Sequence, residues 1–381
     1  MKVVYSIGAR FAGGGIGTTA YHGARGLHRH KMLHRLLCGS FRPTDIPASK
    51  IRSVGLPSRV LRKLATYDAS KWLWYANSLL YDAWSRTKLA PGDLFYVWSN
   101  YGLRSMQRAK ELGMITVVNH ASTYPLHQAR ILQEEMSRWG LKFRSLDVAL
   151  GRTLAEFEAA DYVLIPSDFV RRTFLTEGFP ERRLLKIPFG ADIRRFCPAA
   201  DRSAGPFRVL FVGQIGFRKG IPYLLEAWRR LGWRDAELWL AGRVEGGFQP
   251  FFDRWNRMEG VKVVGYVADP VALYQQADVF VFPTLEEGSA LVTYEALACG
   301  LPVVTTPNAG SVVRDGIDGN LVPIRDGGAI AEALEQLRAD ERFRREMSCA
   351  AREQAETYTW QRHENRLAQI CQQLIEQIAT G

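Results

Sequence analysis

Residues 282–304 read FPTLEEGSALVTYEALACGLPVV, and this stretch predicts a loop, a helix and the start of a strand. The apolar run Val279–Phe282 predicts a strand before the loop, and a helix is expected to begin near Ser289. Units of this kind direct loop atoms and a helix N-terminus toward a ligand. Glu287 lies in the loop, and Glu295 lies eight positions later in the helix. Because carboxylates accept hydrogen bonds from hydroxyls, the pair favours a polyol such as a sugar or a ribose.

The alternative is that both glutamates are solvated side chains around an ordinary helix, since such spacing also arises by chance. The residues after Glu295 argue against this alternative, because Ala296, Leu297 and Cys299 predict a buried helix. An acidic residue placed between an apolar strand and a buried helix requires a binding partner.

Composition indicates a globular protein of two domains. The chain has 381 residues, 47% hydrophobic and 23% charged, which suits two ordinary cores. Five scattered cysteines without paired spacing argue against disulfides or a zinc site. The first apolar run is too short for a signal peptide, and no apolar run approaches the ~20 residues that a membrane span requires. These features predict a cytoplasmic location.

The charge is unevenly distributed along the chain. Residues 1–195 contain 30 Lys and Arg against 15 Asp and Glu, a balance of +15, and the remainder contains 20 against 24, a balance of −4. This asymmetry indicates that the N-terminal half meets something anionic.

Short apolar runs alternate with amphipathic stretches, which predicts an α/β fold with two doubly wound, Rossmann-like parallel sheets facing across a deep cleft. The predicted domains are residues 1–198 and 199–361. A C-terminal helix over about 362–381 is expected to pack back on the first domain. The segment Cys197–Phe207, rich in Pro, Ala and Gly, is the predicted linker.

Two glycine loops follow predicted strands. The loop Gly13–Gly17 could bring backbone amides to a phosphate, although a tight turn without a ligand explains it equally well. No acidic residue follows at the distance that a dinucleotide site needs. The loop Gly213–Gly220 adds Arg218 and Lys219 at a helix start, where the helix dipole disfavours cations unless an anion is bound.

His120 ends a strand at the sheet edge where ligands bind in α/β proteins, although an isolated histidine is often structural. Residues 308–311 (Asn-Ala-Gly-Ser) could form a further backbone cradle on the same edge. The sequence has no D-x-D, no H-E-x-x-H and no Cys/His cluster, so we expect no bound metal.

These motifs together resemble family-4 retaining glycosyltransferases of the group 1 type, which have the GT-B fold. The resemblance covers nearly the whole chain, and its most specific part is Glu287-x7-Glu295 followed by Ala-Cys-Gly-Leu-Pro. Further matching pieces are Gly213 to Gly220, Gly242-Arg243, Gly265-Tyr266-Val267, Pro166 to Val170 and Pro188 to Asp192.

The resemblance implies a role for each matching residue. It implies His120, Lys219 and Glu287 as catalytic residues, with Glu287 holding sugar hydroxyls and Lys219 neutralising the diphosphate. It implies that Glu295 binds the ribose. The other implied donor-binding residues are Gly14, Gly15, Gln214, Arg218, Tyr266, Val267, Ser289, Ala290 and Leu291. Gln214 departs from the family, which often has arginine there, and Arg218 beside Lys219 is the expected substitute.

Residues 49–88 alternate Lys and Arg with apolar side chains and include Trp72, Trp74, Tyr75, Tyr81 and Trp84. Basic amphipathic helices with aromatic residues bind anionic lipid surfaces. An equally open interpretation is a pair of helices that pack their aromatic residues into the first domain. The first interpretation predicts a peripheral protein on the inner face of the cell membrane, with a lipid-linked acceptor.

The predicted function is transfer of a sugar from a UDP-, GDP- or ADP-linked donor to a saccharide or lipid-linked acceptor. The process would be the assembly of a bacterial polysaccharide, lipopolysaccharide or glycolipid. The reaction is expected to retain the anomeric configuration and to require no cofactor. The alternatives are a nucleotide-sugar epimerase or phosphorylase on a similar frame, and a basic nucleic-acid-binding protein. The last leaves Glu287 and Glu295 unexplained, because acidic residues near a ligand repel phosphate backbones. We therefore expect no nucleic acid partner.

Overall fold

Two parallel β-sheets, each flanked by helices, form the framework of the chain. The computed structural model describes residues 1–65, 70–143, 147–200, 205–255 and 257–379. The first sheet has seven strands and the second has six, and every pairing between neighbouring strands is parallel. The predicted fold class is confirmed.

The first sheet has the strand order β3-β2-β1-β4-β5-β6-β7. Its strands are β1 (Val3–Phe11), β2 (Leu33–Phe41), β3 (Ile51–Ser53), β4 (Leu94–Trp98), β5 (Ile115–Asn119), β6 (Tyr162–Ile165) and β7 (Leu184–Lys186). The helices in this half are α1 (Ile16–Arg29), α2 (Leu56–Ala65), α3 (Trp72–Lys88), α4 (Leu103–Glu111), α5 (Pro125–Arg138), α6 (Asp147–Ala159) and α7 (Asp168–Thr176).

The second sheet has the strand order β10-β9-β8-β11-β12-β13. Its strands are β8 (Phe207–Val212), β9 (Ala236–Ala241), β10 (Val261–Gly265), β11 (Val279–Phe282), β12 (Val303–Thr305) and β13 (Gly319–Leu321). The helices in this half are α8 (Ile221–Leu231), α9 (Gln249–Trp255), α10 (Val271–Gln276), α11 (Leu291–Ala298), α12 (Gly327–Ala339), α13 (Glu341–Thr357) and α14 (Trp360–Ala379).

The final helix returns to the first half of the chain. Leu367, Cys371 and Leu374 of α14 are buried in the core of the first sheet, beside α1. An isolated parallel bridge between Ala191 and Thr359 marks where the two crossing segments meet. The predicted boundary near residue 198 stays a prediction, because residues 201–204 of the linker lie outside the described chain.

The order of the strands fixes where a ligand can bind. In each sheet the connections reverse direction, between β1 and β4 in the first and between β8 and β11 in the second. Loops on the two sides of such a switch point diverge and leave a crevice at the carboxyl ends of the strands. The glycine loops and the Glu287 loop all leave the sheets at these ends.

Candidate functional site

A cavity of about 330 Å³ lies between the two domains at the carboxyl ends of both sheets. Gly15 and Ala121 line it from the first domain, and β8 and β11 border it from the second. The predicted residues that line this cavity are Gly15, Gln214, Arg218, Lys219, Glu287 and Ser289–Leu291. The fold therefore brings together residues that are more than 270 positions apart in sequence.

The first domain contributes the loop between β1 and α1. Gly15 adopts a φ of 54° directly before α1, in the left-handed region that favours glycine. A side chain added at Gly14 or Gly15 would meet no other atom within 4 Å, so the loop backbone faces open space. This geometry lets a ligand approach the amides at the start of α1 closely.

The second domain contributes two cations on the short 3-10 turn Phe217–Lys219, before α8. Arg218 Nη1 lies 2.9 Å from Glu287 Oε1, and Lys219 also forms an ion pair with Glu287. The side chain of Lys219 is only 11% exposed, and its ammonium lies 5.1 Å from the centre of the Phe282 ring. Burial, reinforced by the neighbouring Arg218, holds the pKa of Lys219 well below its usual value.

Two cations and one carboxylate thus share a partly buried site, in which Arg218 is the most exposed of the three side chains. A ligand that brings negative charge can replace Glu287 as the partner of Arg218 and Lys219, and this exchange would free the carboxylate for hydroxyl groups. The N-terminus of α11, at Ser289–Leu291, borders the same cavity and adds the positive end of a helix dipole.

A second pocket of about 520 Å³ adjoins the first at Val212–Gln214. Tyr266 and Val267 line it after β10, and the Arg243 guanidinium lies 4.8 Å from the centre of the Tyr266 ring. The pocket has apolar walls and an exposed aromatic ring, features that suit a planar ring such as a nucleobase. Tyr266 and Val267 thus line a pocket, and their predicted contact with a base stays a prediction.

Glu295 lies on α11, where its carboxylate accepts a hydrogen bond from the Tyr274 hydroxyl at 3.0 Å. Burial raises the pKa of Glu295 to about 7, against the effect of that hydrogen bond. The residue lies one helical turn after Leu291, which borders the cavity. Its predicted contact with a ribose stays a prediction.

His120 faces inward, away from the cavity. Its Nδ1 lies 2.9 Å from the Ser99 hydroxyl, and its Nε2 lies 2.9 Å from the carbonyl oxygen of Thr123, with the ring packed on Phe157. Burial lowers the pKa of His120 to about 4, so the ring is neutral at pH 7. Both ring nitrogens have partners within the first domain, and the predicted catalytic role of His120 stays a prediction.

The sequence analysis did not identify Glu286, which joins the two domains. Its fully buried carboxylate accepts hydrogen bonds from Thr123 Oγ1 at 2.7 Å and Gln128 Nε2 at 2.9 Å, across the cleft. Arg218 lies 3.3 Å away on the other side. Burial alone would raise the pKa of Glu286, but Arg218 and these hydrogen bonds hold the pKa below its usual value.

A second contact between the domains, also unpredicted, centres on Glu135 at the end of α5. The buried carboxylate accepts hydrogen bonds from the Tyr223 hydroxyl at 2.8 Å and from Arg325 Nε at 2.8 Å, both in the second domain. Trp139, which directly follows α5, packs against Phe217, the first residue of the turn that carries Arg218 and Lys219. The sequence signal is an acidic residue in an amphipathic helix, which is too common to identify such a contact.

Among the described residues, no group of three or more His, Cys, Asp or Glu side chains is arranged to hold a metal ion. Within the same ranges, no helix combines the length and apolar character that a bilayer crossing requires.

Comparison with known proteins connects this geometry to a family. Residues 206–340 match the family model described as Glycosyl transferases group 1. The chain is 33% identical over 240 residues to a D-inositol 3-phosphate glycosyltransferase of Geodermatophilus obscurus, a match that covers 56% of this chain and 52% of that protein. The chain spans about half the length of the curated relatives it matches.

Solved structures share the whole architecture. Sucrose-phosphate synthase from Thermosynechococcus elongatus superimposes with a TM-score of 0.73 at 19% identity, over 99% of this chain and 100% of that one. HepE from Anabaena, in complex with UDP, superimposes with a TM-score of 0.67 at 17% identity, over 100% of both chains. Residues 206–340 thus resemble the group 1 glycosyl transferases in sequence, and the chain as a whole has the GT-B fold.

Proposed function

We propose that this protein transfers a sugar from a nucleoside-diphosphate-sugar donor to a hydroxyl group of a saccharide or lipid-linked acceptor, with retention of the anomeric configuration. The observation that supports this most directly is the meeting of Arg218, Lys219 and Glu287 with the Gly15 loop in one cavity between the domains. Cations, a carboxylate and open backbone amides match the diphosphate, the sugar hydroxyls and the acceptor approach of such a reaction.

The donor fits the two adjoining pockets in one direction. The base would lie against Tyr266 and Val267, the ribose near Glu295, and the diphosphate against Lys219, Arg218 and the N-terminus of α11. The UDP complex of HepE supports a nucleotide ligand for this fold. The match to an inositol phosphate glycosyltransferase supports transfer to a hydroxyl group.

The reaction separates charge at one bond. As the bond between the anomeric carbon and the donor oxygen breaks, its electron pair moves to the diphosphate, and the sugar gains positive character. Lys219, which is mostly buried, and Arg218, which is partly exposed, stabilise the departing anion without protonating it. In our proposal the acceptor hydroxyl attacks from the face that the diphosphate leaves, and its proton passes to a phosphate oxygen.

This scheme gives Glu287 two partners in succession. In the free protein its carboxylate neutralises Arg218 and Lys219. When a diphosphate takes over these cations, the carboxylate becomes available to the sugar hydroxyls. In our proposal Glu287 therefore fixes the sugar by accepting hydrogen bonds from its hydroxyl groups.

Calorimetric titration with UDP, GDP and ADP, repeated on Glu295→Ala, tests the donor site. We expect micromolar binding of one nucleotide and a loss of about 10- to 100-fold in affinity from the substitution, because hydrogen bonds to a charged group contribute about 1.5–3 kcal/mol. Glu346→Ala is the matched control, since that glutamate lies in the same domain and is 62% exposed. Failure of all three nucleotides to bind would contradict the proposal.

Product analysis separates the alternative enzymes. A transferase releases nucleoside diphosphate only when an acceptor is present, whereas a phosphorylase requires inorganic phosphate. An epimerase converts the donor sugar and releases no nucleotide. A reaction that requires inorganic phosphate and no acceptor would instead indicate a phosphorylase. Conversion of the donor sugar without release of a nucleotide would indicate an epimerase, and either result would contradict our proposal.

A further inference from the structure

Arg243 is the only charged residue among the described residues that line the pocket of about 520 Å³, which we call the Tyr266 pocket. Its guanidinium lies 4.8 Å from the centre of the Tyr266 ring, and that residue is 65% exposed. A guanidinium presents five N–H donors in a fixed plane and has no acceptor. The wall of the pocket therefore offers hydrogen-bond donors to a ligand.

Another stacked arginine of the second domain shows what is unusual about Arg243. Arg338 lies 4.5 Å from the centre of the Trp233 ring, and its guanidinium also pairs with Asp235 at 2.7 Å. Within the described part of the chain, the side chain of Arg243 has neither a carboxylate partner nor a hydrogen-bond acceptor. Stacking on a ring leaves the edge of a guanidinium available to donate. We therefore expect the partner of these donors to come with the ligand.

The position of Arg243 indicates which edge of a base it can meet. The Tyr266 pocket adjoins the cavity that Lys219 lines at Val212–Gln214, whereas Arg243 and Tyr266 line the Tyr266 pocket alone. In the proposed orientation of the donor the diphosphate lies in the cavity, so the ribose side of the base faces Val212–Gln214. The edge of the base that is far from the ribose then faces Arg243.

We propose that Arg243 selects guanine, so that the donor is a GDP-linked sugar; this inference rests on the proposed function. Guanine presents two adjacent acceptors on one edge, O6 and N7, and an arginine binds this pair through two parallel hydrogen bonds. Uracil presents O4 alone at the matching position, and adenine and cytosine present amino groups, which are donors like the guanidinium itself. A donor that faces a donor leaves both without a partner, so the Tyr266 pocket disfavours the two amino bases most.

Calorimetric titration of the full chain with GDP, UDP, ADP and CDP tests the proposal. GDP should bind most tightly and the other three about 5- to 150-fold more weakly, with UDP nearest to GDP because uracil keeps one acceptor. Two analogues locate the contact on the base. Inosine diphosphate keeps O6 and N7 and should bind about as tightly as GDP. In 7-deaza-GDP a C–H group replaces N7, so this analogue should bind about ten-fold more weakly through the loss of one hydrogen bond to a charged group.

Substitution of Arg243 separates its geometry from its charge. Arg243→Met should weaken GDP binding to about the level of UDP and change ADP and CDP binding little, because it removes the donors and keeps an apolar side chain on Tyr266. Arg243→Lys keeps the charge but not the planar fork, so most of the preference for GDP should be lost here too. Arg338→Met is the matched control, since it also removes a stacked arginine from the second domain, and it should keep the wild-type preference. All three variants should keep the wild-type thermal midpoint.

Three results would overturn the proposal. Binding of UDP, ADP or CDP as tight as that of GDP would refute selection of guanine and leave the proposed function intact. An equal loss of affinity for all four nucleotides in Arg243→Met would assign the arginine to the diphosphate instead of the base. Failure of all four nucleotides to bind would contradict the proposed function and, with it, this inference.

Discussion

Replacing Lys219 with methionine is expected to weaken binding of a nucleoside diphosphate while leaving binding of the nucleoside unchanged. The lysine stem is buried against Phe282, and methionine retains an unbranched apolar chain of similar length. The substitution therefore removes the charge and preserves most of the packing. Arg218 still pairs with Glu287, so the carboxylate keeps a charged partner.

The magnitude follows from one buried, charge-assisted interaction. Such hydrogen bonds contribute about 1.5–3 kcal/mol, or about 10- to 150-fold in the dissociation constant. Because burial and Arg218 hold the pKa of Lys219 well below 10.5 in the free protein, part of this energy goes into keeping the ammonium protonated. An effect of about 10- to 50-fold is therefore expected near pH 7.

The pH dependence provides a second signature of the same residue. A bound diphosphate favours the charged ammonium, so binding takes up protons as the pH rises toward 10.5, and wild-type affinity falls over that interval. Lys219→Met should lose this component. Calorimetry in two buffers with different ionisation enthalpies measures the proton uptake directly.

Lys262→Met is the control, because that lysine lies in the same domain, is 57% exposed and pairs with Glu237 at the surface. It should leave the affinities for nucleoside and nucleoside diphosphate unchanged. Two results would refute the reasoning. One is an equal loss of affinity for nucleoside and diphosphate in Lys219→Met, and the other is no loss for either ligand.

Three further predictions concern the other carboxylates. Glu287→Gln removes the carboxylate that competes with a diphosphate for Arg218 and Lys219. The affinity for the diphosphate should therefore stay the same or rise up to about ten-fold, while the turnover measured in steady-state kinetics falls about 100-fold or more. A fall in the affinity for the diphosphate would contradict this prediction. Burial raises the pKa of Glu295 in the folded state from 4.5 to about 7, so the folded state loses stability as the pH rises through that interval. In denaturant unfolding, Glu295→Gln should raise the free energy of unfolding by about 3 kcal/mol at pH 8 but change it little at pH 4. Arg325→Met leaves the buried Glu135 without its charged partner and should lower the free energy of unfolding by about 3–5 kcal/mol, whereas an unchanged value would show that Tyr223 alone suffices.

The parts of the fold that the sequence predicts well are those with a strong local pattern. The strand Val279–Phe282 has the predicted bounds, because it is a continuous apolar run buried on both faces. The three-residue strands Ile51–Ser53, Leu184–Lys186 and Gly319–Leu321 were not predicted, since each contains polar or charged residues and lacks a continuous apolar run.

The residues of the candidate site also differ in whether the local sequence contains a signal for them. Lys219 and Glu287 were predicted because each breaks a local rule, a cation at a helix start and an acidic residue behind a buried strand. His120 shows the limit of this reasoning, since the sequence places it at the correct sheet edge but does not determine which way its ring turns. Glu135 and Glu286 have partners in the other domain, and a single sequence contains no signal for such pairings.

The adjacency of Glu286 and Glu287 connects domain closure to the state of the cations. Arg218 contacts both carboxylates, one of which is held by Thr123 across the cleft and the other of which faces the cavity. Glu286 thus has hydrogen-bond donors in the first domain and Arg218 in the second. Arg218 is therefore shared between the contact that joins the domains and the cavity that Glu287 lines. Gly288 belongs to the same contact between the domains, because any side chain there would collide with the backbone of Ala121 and hold the cleft open.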